Sequence, residues 1–146
     1  MSIAVFPGSF DPMTIGHKAL LEKALPLFDK IYVAVGINND KHCLFPLEVR
    51  LASMRKALEN MPTVEVVTYN GLTTDLCREK GATFILRGLR DSSDYAYEQK
   101  IADINRLIAP DIQTIFLTAD PEYAAISSSM VRELASFGKD VSKYIV

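Results

Sequence analysis

The chain alternates short β-branched runs with segments of helical period, five times from end to end. Ser2–Phe6 (SIAVF), Lys30–Val35, Val64–Thr68, Thr83–Leu86 and Gln113–Thr118 read as strands. The stretch 17–28 carries Leu20, Leu21, Ala24, Leu25 and Phe28 on one helical face, with Pro26 limiting its end. Pro46 is placed for the first turn of a helix on which Leu47, Leu51, Met54 and Leu58 recur in register. Leu72–Lys80 reads as a helix stopped by Gly81. Residues 94–108 align Tyr97, Ile101, Ile104 and Ile108, and Ser128–Phe137 precedes Gly138. Strands joined through helices run parallel, and a parallel sheet needs cover on both faces.

Right-handed crossovers leave few ways to order such strands. The expected fold is α/β: a single Rossmann-like domain with a five-stranded parallel sheet, order 3-2-1-4-5, and helices on both faces. A length of 146 residues, 49 % of them hydrophobic, suits one domain with a substantial core. In that order the first and fourth strands are neighbours and the direction of winding reverses between them. Ligands of such sheets bind beyond the carboxyl ends of the strands at this switch point. The segments PGSFDPMTIGH, RGLRDSSDYAYE and TADPEYAAISSS, which follow the first, fourth and fifth strands, should therefore converge.

Their chemistry is that of an anion site. Gly8 and Pro12 constrain a turn, Gly16 removes a side chain where a helix begins, and His17 stands in its first turn. A helix start offers unbonded N–H groups and positive dipole charge, so it attracts phosphate. An isolated Gly-His is equally compatible with a capping histidine. Arg87 and Arg90 flank Gly88, where they would form either a bidentate phosphate clamp or internal ion pairs with Asp91, Asp94 or Glu98. Ser127, Ser128 and Ser129 precede the last helix; one of them is expected simply to cap it. Lys41 reads by itself as a solvated loop lysine, and the neighbouring His42 and Cys43 point only weakly to a metal.

Several function classes are disfavoured. A formal net charge of −2 gives no general basis for binding nucleic acid or anionic membrane. No apolar run approaches the roughly 20 residues of a membrane span, and the N-terminal run is too short for a signal peptide. Two distant cysteines, Cys43 and Cys77, fit a reducing setting, so a cytoplasmic location is expected. There is no GxxxxGK[ST], no GxGxxG after the first strand, no GxSxG and no cysteine-centred signature. What remains is a cleft suited to phosphoryl or nucleotidyl transfer, in which a protein mainly positions reactants and stabilises charge.

GSFDPMTIGH is similar to the TxGH form of the nucleotidyltransferase signature, and ISSSMVRE to that superfamily's second motif. With RGLRDSSDYAYE, FPLEVR and NRLIAPDIQTIFL, the chain resembles the phosphopantetheine adenylyltransferase family, in order from residue 3 to about residue 145. The resemblance implies attack of the phosphate of 4′-phosphopantetheine on the α-phosphorus of ATP, with Mg²⁺ supporting the phosphates and pyrophosphate leaving. It implies a charge-stabilising role for His17, assisted by Lys41 and Arg90. It assigns Ser9, Phe10, Gly88, Leu89, Arg90 and Glu98 to ATP, together with Tyr123, Ala124, Ala125, Ile126 and Ser127 through Ser129. Ser9, Lys41, Thr73 and Arg87 fall to the acceptor, no residue is assigned to hold a metal, and a homohexamer is implied. The chain departs from the family's usual pattern at Ser9 (commonly threonine), Ala96 (usually acidic) and Tyr123 (frequently tryptophan). Rival readings are an adenylyltransferase for nicotinamide or nicotinate mononucleotide, or a cytidylyltransferase. Thr14, standing at the first position of the more usual HxGH, disfavours both. A catalytically silent nucleotide-binding module is the rival from another class.

Overall fold

The computed structural model describes residues 1–37 and 42–146. The elements run β1 (Ile3–Gly8), α1 (Ile15–Ala24), β2 (Lys30–Gly36), α2 (Leu47–Ala57), β3 (Val64–Tyr69), α3 (Thr73–Lys80), β4 (Phe84–Leu89), α4 (Ser92–Ile108), β5 (Gln113–Thr118) and α5 (Ser128–Ser136). All strand pairs are parallel, in the order β3-β2-β1-β4-β5, so the expected α/β sheet is the one observed. Alternate residues of each strand feed opposite faces. Ala4, Phe6, Val33, Val35 and Leu86 pack with Leu20 and Leu21 of α1 and Met54 of α2. Val5, Ala34 and Ile85 pack on the other side with Leu76 and Cys77 of α3 and with Ala109 and Ile112 beyond α4. No described helix is long and apolar enough to cross a membrane.

The strands that frame the switch point run further than the hydrophobic runs suggest. β1 continues through Pro7 to Gly8, and β4 through Arg87 and Gly88 to Leu89. β1 stays in register with β2 from Ile3↔Lys30 to Gly8↔Val35. With β4 it pairs only at Ala4↔Phe84 and Val5↔Ile85. Beyond Val5 these two central strands part, which opens a crevice in the sheet. Pro7, which has no N–H to give, falls past the last β1–β4 pair, where none is needed. Its carbonyl accepts from Arg87 Nη1 at 2.6 Å.

Two local expectations need correction. Pro46 caps α2 from outside the helix rather than occupying its first turn. The Tyr97, Ile101, Ile104, Ile108 face of α4 does not join the core: Tyr97 is 67 % exposed and Ile104 58 %. The helix lays Glu98, Ala102 and Asn105 toward the sheet instead, and Glu98 is its one buried residue. An ion pair described below fixes that rotation.

Candidate active site

The β1–α1 loop is built around its own backbone. Asp11 is fully buried, and its carboxylate accepts from the backbone N–H groups of Leu44 and Phe45 at 2.7 and 2.9 Å. The segment before α2 is thereby tied to this loop. Arg50 of α2 donates to the Ser9 carbonyl at 2.6 Å and to the Phe45 carbonyl at 3.1 Å. Phe10 takes φ 47°, a left-handed conformation that a bulky side chain seldom adopts. Its ring packs edge-on to Phe6, with centroids 5.4 Å apart, and to His17 at 5.1 Å.

Thr14 caps α1, and His17 completes the capping box in the place more often held by Glu or Gln. The Thr14 N–H donates to His17 Nδ1 at 2.9 Å, while the His17 N–H donates to Thr14 Oγ1 at 3.3 Å. Nδ1 is therefore an acceptor, which leaves the ring proton of the neutral imidazole on Nε2. Burial first, then the charges of Arg87 and Arg90, lower the His17 pKa from 6.5 to about 4. The capping reading and the ligand reading are thus both served: one ring nitrogen caps the helix, and the other is a fixed donor.

Arg87 is committed to the ion pair that the sequence left open. Its Nε and Nη2 meet Glu98 Oε2 and Oε1 at 2.9 and 2.6 Å, a two-pronged contact. Glu98 is 7 % exposed. A buried carboxylate requires such a partner, so Glu98 rather than the isoleucines sets how α4 rolls onto the sheet. Arg90 bonds to Asp94, with Nε to Oδ2 at 2.9 Å and Nη2 to Oδ1 at 3.2 Å.

The serine run divides its work. Ser127 caps α5 by accepting from the Met130 N–H, Ser128 Oγ donates to the Pro12 carbonyl, and Ser129 Oγ accepts from Arg132 Nη2. Arg132 Nη1 reaches the Asp11 carbonyl at 3.0 Å. The start of α5 is thus laced to the loop that leads into α1 and His17. Gly16 lies at that junction: a Cβ there would meet Thr14 Oγ1 at 3.4 Å and the Ile126 carbonyl at 3.6 Å, ordinary contact distances.

These segments enclose a cavity of about 460 Å³. Ser9, Phe10, His17, Arg87, Gly88, Leu89, Arg90, Glu98 and Ser127 through Ser129 all line it, as expected for residues at the switch point. Thr73 lines a second cavity of about 200 Å³, with Tyr69, Ile101 and Asn105. The two cavities share Pro7, Gly8, Arg87 and Glu98, so the ion pair forms the partition between them. Arg87 and Glu98 therefore each face both compartments. Tyr123, Ala124, Ala125 and Ile126 do not line either one. They form the turn behind Gly16, with the Tyr123 Cβ 3.7 Å from where a Gly16 Cβ would be. Lys41 lies outside the described residues.

The family model described as cytidylyltransferase-like matches residues 5–134. The phosphopantetheine adenylyltransferase of Methylococcus capsulatus is 48 % identical over 97 % of this chain and 88 % of its own length. The chain belongs to the cytidylyltransferase-like nucleotidyltransferases, among the phosphopantetheine adenylyltransferases. The enzyme of that name from Porphyromonas gingivalis is 45 % identical over 99 % of the chain and 94 % of its own length. The Plasmodium falciparum nicotinic acid mononucleotide adenylyltransferase complexed with NaAD shares the fold, with a TM-score of 0.67. It is 20 % identical and covers 99 % of this chain and 90 % of that one.

Within this family's cleft, sequence reasoning passed over Arg132, Asp94 and Asn105. Arg132 was legible: it follows Ser129 by three residues, which puts both on one helical face. Asp94 appeared only as a partner for an arginine. Asn105 opens the NRLIAPDIQTIFL stretch of the resemblance but drew no role, because the face of α4 that meets the sheet is not its apolar one.

Proposed function

We propose that the protein transfers the adenylyl group of ATP to 4′-phosphopantetheine, giving dephospho-coenzyme A and pyrophosphate. The observation that carries this reading is the pair of joined compartments, one lined by phosphate-binding groups and the other by apolar and amide-bearing side chains. ATP occupies the larger, with its phosphates against His17, Arg90, Arg132 and the start of α5. The acceptor's flexible arm occupies the smaller, where Asn105 and the Tyr69–Thr73 hydroxyl pair, 2.9 Å apart, offer partners for its amides. Its phosphate then meets ATP at the partition.

A phosphate oxygen of the acceptor attacks the α-phosphorus, and the bond from that phosphorus to the bridging oxygen breaks. Pyrophosphate leaves with the electron pair. Nε2–H of His17 donates to the α-phosphate as charge develops there. The attacking group is already anionic, so no general base is required. Lys41 is assigned to the acceptor phosphate by family resemblance. Mg²⁺ would be held by the oxygens of the triphosphate, which it prefers, and would offset their charge. Asp94 and Glu98, the carboxylates of this cleft, are bonded to arginines. A cytoplasmic enzyme fits this metabolic role.

The exposed face of α4 supports self-association, and the family resemblance suggests a homohexamer. Tyr97, Ile101, Ile104 and Ile108 form one apolar stripe, and such a stripe is costly to leave in water. Ile104→Asp should then reduce the mass measured by light scattering.

The acceptor assignment is tested by giving purified protein Mg-ATP with either 4′-phosphopantetheine or nicotinamide mononucleotide. Mass spectrometry should find dephospho-coenzyme A from the first and no dinucleotide from the second. The reverse outcome would replace the assignment.

A further inference from the structure

The three arginines of the larger compartment are held in different ways. Arg87 is locked: Glu98 takes two of its nitrogens and the Pro7 carbonyl a third. Arg132 is held by the Asp11 carbonyl and Ser129 Oγ, and both partners are uncharged. Arg90 alone is paired with a carboxylate from the first turn of a helix, and both side chains reach solvent (37 % exposed for Arg90, 23 % for Asp94). The edge of the guanidinium that Asp94 covers, Nε with Nη2, is an edge that would pair bidentately with a phosphate. Asp94 Oδ2 also accepts from the Arg90 backbone N–H at 3.0 Å. If the guanidinium departs, that bond still satisfies the carboxylate, so the exchange leaves no buried orphan.

We propose that Asp94 is a positioning residue that acts through Arg90: it competes with the polyphosphate for the Arg90 guanidinium. In the structure the carboxylate holds the fork at the cavity wall. Triphosphate takes it over on binding, and Asp94 recaptures it as pyrophosphate leaves. Asp94 thereby weakens pyrophosphate retention and keeps the site turning over. The inference rests on the nucleotide reading above.

The test is equilibrium binding of pyrophosphate, and separately of adenosine, to the intact protein and to Asp94→Asn, Asp94→Glu and Arg90→Gln. Asparagine keeps the shape and the acceptor for the Arg90 N–H. Asp94→Asn should bind pyrophosphate about two- to five-fold more tightly, the scale set by an exposed ion pair. Adenosine, which has no phosphate, should bind unchanged, and Asp94→Glu should return toward wild type. In an Arg90→Gln background, Asp94→Asn should yield a clearly smaller gain, because the competition runs through that arginine. Unchanged or weaker pyrophosphate binding by Asp94→Asn would overturn the proposal. So would an equal change for adenosine, or a gain that survives intact without Arg90. Wild-type protein that binds neither ATP nor pyrophosphate would remove the nucleotide reading itself. Wild-type binding with no gain in Asp94→Asn removes this proposal alone.

Discussion

The Thr14 backbone N–H donates to His17 Nδ1 at 2.9 Å, so a single capping contact decides which nitrogen of the imidazole faces the cleft with a proton. The ring is neutral well below neutrality, since burial and the nearby Arg87 and Arg90 lower its pKa to about 4. Nitrogen NMR should show the Nε2–H form of His17, unchanged from pH 8 to about 5.5. A ring that titrates near 6.5 would contradict the assignment.

The same shift links folding to pH. His17 binds its proton less readily when folded than when unfolded, so the unfolded chain gains stability as pH falls from about 6.5 toward 4. The loss attributable to this residue is on the order of 3 kcal/mol across that window, and none of it is felt above pH 7. Urea midpoints at pH 7 and pH 4.5 should therefore drop further for wild type than for His17→Gln. Parallel drops would show that His17 is not the group responsible.

Glu98 and Arg87 depend on each other, with the glutamate the more deeply buried. Glu98→Ala leaves a guanidinium half in the core and should lower stability by about 2 kcal/mol, less than for a fully buried pair because Arg87 reaches solvent. The pair divides the two compartments, so KM for the acceptor should rise in the same variant. Urea titration together with acceptor saturation curves tests both effects. A stable variant with unchanged KM would deny the partition.

Asp11 joins the β1–α1 loop to the segment before α2. Asp11→Ala orphans the N–H groups of Leu44 and Phe45 and should cost about 2–3 kcal/mol, readable as a lower urea midpoint. Hydrogen exchange at those two amides should accelerate more than at β2. Uniform acceleration would mean a global loss of stability only.

Gly88 lies under α1, and a Cβ there would come within 2.9 Å of Leu20 Cδ2. Leu20 also lines the larger cavity. Gly88→Ala should therefore displace the leucine, narrow the cleft and weaken ATP binding, at a stability cost of about 1–2 kcal/mol. ATP titration of the variant checks this. Unaltered affinity would show that Leu20 moves aside freely.

Strand order was legible because it depends on a property that sequence displays: apolar runs that alternate with helical periods. Strand ends were not legible, since Pro7, Gly8, Arg87 and Gly88 extend β1 and β4 with residues of low strand preference. Parallel partners hold them there, Val35 for Gly8 and Phe116 for Arg87. The α4 face misled for a physical reason. Its apolar stripe implied a core contact, yet the buried Arg87–Glu98 pair set the helix's rotation and turned Ile104 outward. At the site, local chemistry at the expected switch point singles out His17, Arg87, Arg90 and Ser127–Ser129, and the structure brings them to one cavity. Tyr123 through Ile126, assigned to ATP by resemblance, form the turn beside Gly16, next to the cavity-lining Ser127. Motif spacing carries no side-chain direction, so how each of them faces the cleft was not legible.

Steady-state pyrophosphate release with Mg-ATP and 4′-phosphopantetheine, compared between wild type and His17→Ala and paired with ATP binding, tests the mechanism most directly. A donor engaged mainly in the transition state should lower kcat by about 10²–10³-fold when removed, while the Kd for ATP changes by less than about three-fold. An unchanged kcat, or a loss seen entirely as weaker ATP binding, would contradict the role assigned to His17 Nε2.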